Sequence, residues 1–73
     1  MTSEEAWQEL QRARARVAYA VGEEAMAREL FGVEHEETER KGSEYLAAQR
    51  AEKAAEREYD RACAHERGEA YTP

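Results

Sequence analysis

Apolar residues recur along this chain at the spacing of an amphipathic helix. At about 100° per residue, Ala6, Trp7, Leu10, Ala13, Val17 and Val21 fall within an arc of about 100°. Ser3 is the expected N-cap, and Glu4 and Glu5 put carboxylates in the first turn, where the helix dipole favours them. The first helix is therefore predicted to begin at residue 3 or 4. Beyond Gly22 the stripe fails, because Glu24 and Arg28 fall on the same arc while Tyr19, Met26 and Leu30 gather on another side. Either a kink at Gly22 or a second apolar face follows from that change.

Leu30-Phe31-Gly32-Val33 reads as a helix end, with Gly32 in the left-handed position and Val33 as its hydrophobic partner. Glu34, Glu36, Glu37 and Glu39 then supply an acidic start for a second helix, predicted over residues 34–67. A bend or interruption near Lys41-Gly42-Ser43 is an open alternative. Gly68 closes the helix, and residues 69–73 are expected to form a flexible tail. Within the second helix Tyr45, Ala48, Ala51, Ala55, Tyr59 and Ala62 share a face. Glu52-Glu56-Asp60 and Lys53-Arg57-Arg61 run beside it as two charged rows, in the manner of solvated coiled-coil flanks.

The fold expected is all-α: one domain over residues 1–68, an antiparallel hairpin of two long helices. A reversal near residue 33 sets Trp7 against Tyr59, Leu10 against Ala55, Val17 against Ala48 or Ala51, and Val21 against Tyr45. Large residues then oppose small ones. The seam is assigned to Trp7, Leu10, Val17, Val21, Tyr45 and Tyr59, and the same residues are expected to serve self-association.

Composition makes that last step necessary. Of the 30 hydrophobic residues 15 are alanine, there is no isoleucine, and Leu, Val, Phe and Trp together number eight. A 73-residue chain of this kind makes helix easily and buries little, so oligomerisation is expected to complete the fold.

Seventeen acidic residues against eleven basic give a net charge of -6, spread along the chain rather than held in one block. Arg12, Arg14 and Arg16 form the only basic cluster, and helical geometry splits it, so no stripe forms for a phosphate backbone to follow. The single cysteine, Cys63, excludes an intrachain disulfide and is expected to pack as a small apolar residue. No apolar segment follows Met1 and no apolar run reaches the ~20 residues that span a bilayer, so a cytoplasmic location is expected.

Candidate chemistry is sparse. His35 with Glu39 and His65 with Glu69 are i,i+4 pairs, but the second histidine of a zincin and the glutamate-x-x-histidine of di-iron bundles are both missing. On one straight helix the two histidines would stand ~45 Å apart, so only an antiparallel dimer could join them. No catalytic set, cofactor or metal site is expected. Tyr19, Met26, Leu30, Phe31 and Leu46 lie off the seam and are assigned to binding a protein partner at the hairpin end, with a local minicore around Val33 as the plainer alternative. The function expected is that of a non-enzymatic helical interaction module that self-associates. The second reading is a small acidic inhibitor or DNA mimic that blocks the basic groove of a nucleic-acid-processing protein.

Overall fold

The computed structural model describes residues 1–68 and shows two helices, α1 over Ser3–Phe31 and α2 over Glu36–Glu66, folded back on each other. The expected tail, residues 69–73, lies outside the described residues. Both helices run unbroken through Gly22 and Gly42.

Buried and half-buried positions explain why the apolar stripe was lost in the sequence. In α1 they include Ser3, Ala6, Leu10, Ala13, Val17, Ala20, Glu24 and Ala27, in alternating steps of three and four. In α2, Thr38, Lys41, Tyr45, Ala48, Glu52, Ala55, Tyr59 and Ala62 repeat the same steps. This is a heptad seam with period 3.5, and the stripe was lost at Glu24 because a charged residue occupies a seam position there. The stripe continues past Gly22 after all. Glu24 occupies a seam position with its side chain only 16 % exposed, held in an ion pair with Arg28 one turn on.

Side-chain size then sets how the helices meet. The buried apolar residues are Ala6, Leu10, Ala13, Ala27, Ala62 and Ala64, so Leu10, at 2 % exposure, is the one large side chain among them. Methyl-sized seams let helix axes approach closely but remove little apolar area from water. The result is a rod of 51 × 20 × 12 Å with a radius of gyration of 16.0 Å. A compact domain of this length has a radius near ~11 Å.

The chain's accessible surface is 5525 Å². A compact 8.4 kDa monomer exposes roughly 4,600 Å². The excess, roughly 900 Å², follows from the elongated shape of the rod.

Each end of the rod has its own fastening. The N-cap is Thr2, one residue before the expected Ser3. Thr2 Oγ1 accepts the Glu5 amide at 3.1 Å and the Glu5 carboxylate accepts the Thr2 amide at 3.4 Å, a reciprocal capping box. Ser3 is thereby released for another role. Its amide and hydroxyl donate at 2.7 and 2.6 Å to the two oxygens of Glu66, from the far end of α2. These bonds, made to a carboxylate at the positive end of α1, hold the Glu66 carboxyl below its ordinary value.

At the closed end Gly32 has φ 91° and ψ 167°, positive as expected but extended rather than left-handed helical. Its amide donates to the Arg28 carbonyl at 3.0 Å, and its carbonyl accepts the Thr38 hydroxyl at 2.6 Å. That conformation is open to glycine and strained for other residues. His35 caps α2, its Nδ1 accepting the Glu37 amide at 3.0 Å, and its ring stacks on Phe31 at 4.7 Å. The second helix therefore starts two residues later than residue 34.

Three outcomes follow from this scaffold. Leu10→Ala should cost about 2–3 kcal/mol in urea unfolding followed by circular dichroism. Gly32→Ala should destabilise by ~1 kcal/mol or more, whereas Gly22→Ala and Gly42→Ala, each in helical backbone with open space around a new Cβ, should stabilise by ~0.5–1 kcal/mol. Because Glu66 has a lower pKa folded than unfolded, its clasp stabilises above its ordinary value of 4.5 and is lost as pH falls below that value. Accordingly, Glu66→Gln should speed hydrogen exchange of the Ser3 amide near neutral pH and make no difference at strongly acid pH.

Candidate functional site

The seam predicted from sequence is present, but as the internal seam of one hairpin. Trp7 and Tyr59 meet across it, ring centroids 5.4 Å apart and planes tilted at 54°. Leu10 is buried, and Val17, Tyr45 and Tyr59 are half-buried along the seam between the two helices. Trp7 and Val21 differ: each is 44 % exposed on the flank of the seam. Tyr45 accepts a hydrogen bond from Gln49 Nε2 at 3.0 Å, and the Tyr59 phenol is raised above its ordinary range, first by its hydrogen bond to Cys63.

The five residues assigned to a partner surface are all exposed, but they do not share one patch. Met26, Leu30 and Phe31 line a notch of about 180 Å³ at the closed end of the hairpin, together with Ala27, Glu23, Glu37 and Lys41. Tyr19 lies beside that notch, bound to Glu23. Leu46 lies elsewhere. Relative to the seam residue Tyr45 it is rotated by about +100°, whereas Glu37 and Glu44 are rotated by about -80° and -100°, so it stands on the opposite broad face. Sequence reasoning missed this because it grouped residues by being off the seam, not by the side on which they were off it.

Charge surrounds the notch. Lys41 Nζ bridges the helices, 3.5 Å from Glu23 and 3.6 Å from Glu44, and these carboxylates, Glu44 foremost, raise its pKa. The hydrogen bond from Tyr19 to Glu23 likewise raises the phenol, since ionising it would set two anions together. Between residues 23 and 39 seven glutamates stand against one arginine. The notch itself is apolar at Met26, Leu30 and Phe31, and its rim carries Glu23 and Glu37 with Lys41.

The notch is smaller than the roughly 300–1,000 Å³ of ordinary small-molecule sites, and suits one or two side chains of a partner. Among the described residues no group of three or more His, Cys, Asp or Glu is placed to hold a metal ion. His35 is engaged as a helix cap. The basic cluster is also occupied: Arg12 pairs with Glu9, and the Arg14 guanidinium stands 5.8 Å from the centre of the Trp7 ring, a cation–π distance. Among the described residues no helix is long and apolar enough to cross a membrane.

The chain matches no protein-family model, curated protein or solved structure. Its site is therefore read from its own geometry.

Glu23→Gln should lower the midpoint of one tyrosine ionisation toward 10 in an ultraviolet titration, and Tyr19→Phe should remove that same transition. An unchanged titration in Glu23→Gln would contradict the Tyr19–Glu23 bond.

Proposed function

We propose that this chain is a non-enzymatic helical interaction module that self-associates and grips a protein partner with its closed end. The observation that carries the reading is the notch of Met26, Leu30 and Phe31, rimmed by Glu23, Glu37 and Lys41, on a rod whose buried apolar residues are alanine but for Leu10. A partner that fits presents one or two apolar side chains flanked by lysine or arginine. Apolar insertion supplies the affinity, and Glu23 and Glu37 on the rim supply orientation.

A second reading rests on the net charge of -6: the chain occupies a basic groove of a nucleic-acid-processing protein, in place of nucleic acid. The two readings differ in what holds the complex together. An apolar notch binds with an affinity that changes little with salt, whereas an acidic decoy depends on ion pairs that salt screens.

The test is binding of the chain to partners recovered with it, measured at 0.1 and 0.5 M salt with Phe31→Ala and Leu30→Ala beside the wild type. The module reading expects a loss of tenfold or more from either substitution and a modest salt effect. Binding that survives both substitutions and collapses with salt would establish the decoy instead.

A further inference from the structure

One side chain, His35, holds the closed end from both helices. Its imidazole stacks on Phe31 of α1, ring centroids 4.7 Å apart and planes 22° apart, while its Nδ1 accepts the amide of Glu37 in the first turn of α2 at 3.0 Å. Phe31 and Glu37 both line the notch, so the same ring touches a residue on each side of it. Helix caps are ordinarily serine, threonine, asparagine or aspartate, whose oxygens do not change charge near neutral pH. Thr2 serves α1 in that way. The cap of α2 is instead the side-chain type whose charge ordinarily changes between about pH 5 and 8.

We infer that His35 is a pH-sensitive latch on the notch: as a neutral imidazole it ties the first turn of α2 to Phe31, and as an imidazolium it keeps Phe31 and lets the α2 turn go. The latch regulates partner binding only on the reading of the notch given above, but its own movement belongs to the free chain and can fail without that reading failing.

The mechanism lies in the lone pair. To accept an amide proton Nδ1 must be bare, which leaves the ring's single proton on Nε2. A second proton takes that lone pair, and both nitrogens are then donors. The Glu37 amide loses its acceptor, and a cation stands at the positive end of α2, where the dipole repels it. The face of Phe31, by contrast, attracts a cation, so the stack persists.

The charged groups flanking the ring are Glu34 in the turn, Glu36, Glu37 and Glu39 in the first turn of α2, and Arg28 and Glu29 in the last turn of α1. Arg28 is paired with Glu24 and Glu37 with Arg40. Carboxylates are in excess and offset the repulsion by the dipole, but whatever their sum, a protonated Nδ1 accepts nothing. The change stays local, because the Thr38 hydroxyl donates to the Gly32 carbonyl at 2.6 Å and neither group titrates near neutral pH. The chain reversal is therefore kept while the start of α2 loosens.

The test is nuclear magnetic resonance of the isotope-labelled full chain, titrated from pH 8 to about pH 5.5, across the ordinary range of an imidazole. At pH 8 the His35 ring should carry its proton on Nε2. As that ring titrates, the Cα shifts of Glu36 and Glu37 should lose at least a third of their helical displacement with the same midpoint, while contacts between the His35 and Phe31 rings persist. His35→Asn keeps an oxygen that accepts the amide and takes up no proton, so Glu36 and Glu37 should stay helical throughout. His35→Ala should show the loosened turn at every pH, and His65→Gln should leave the wild-type transition in place. A proton on Nδ1 at pH 8, or Cα shifts that stay helical while the wild-type ring titrates, would overturn the latch. So would the same loosening in His35→Asn, which would assign it to the neighbouring carboxylates.

Discussion

The constraint from which the rest follows is the small size of what the two helices press together. Five of the six buried apolar residues are alanine, and a methyl group removes little area from water. Such a seam specifies register through shape, small against small, with the Trp7–Tyr59 pair and Leu10 as its few bulky members. It leaves fastening to polar groups at the two ends. The Ser3–Glu66 clasp and the Gly32–Thr38 turn sit at opposite ends of the rod and fix where the helices start, stop and cross over.

The same scarcity shapes the surface. Residues that would fill the core of a bulkier protein are left outside in two places. The notch of Met26, Leu30 and Phe31 has Glu23, Glu37 and Lys41 on its rim. Val21 and Leu46 lie on the other broad face, 44 % and 52 % exposed.

Much of this was legible in the sequence. Two helices, the reversal near residue 33, the Trp7–Tyr59 meeting and the exposure of the leftover apolar residues could be read from spacing and from Gly32 alone. The details that escaped were those decided by geometry across the chain. Glu24 looked like a break in the stripe because it is charged, and only its pairing with Arg28 shows how a carboxylate sits near the seam. Ser3 looked like the cap, and only the position of Glu66, 63 residues away, shows why Thr2 takes that place. Leu46 was grouped with the notch because sequence gives the angle of a residue on its own helix, but not which broad face of the hairpin that angle becomes.

If one hairpin is too lean to stand alone, its stability depends on how many copies are present, because association stabilises the folded chain by mass action. The most direct measurement is the midpoint of thermal unfolding, followed by circular dichroism, at protein concentrations from 2 to 200 µM. A midpoint that climbs steadily across that hundredfold range is expected. A sharp transition at one fixed temperature throughout would contradict the dependence on a neighbouring molecule.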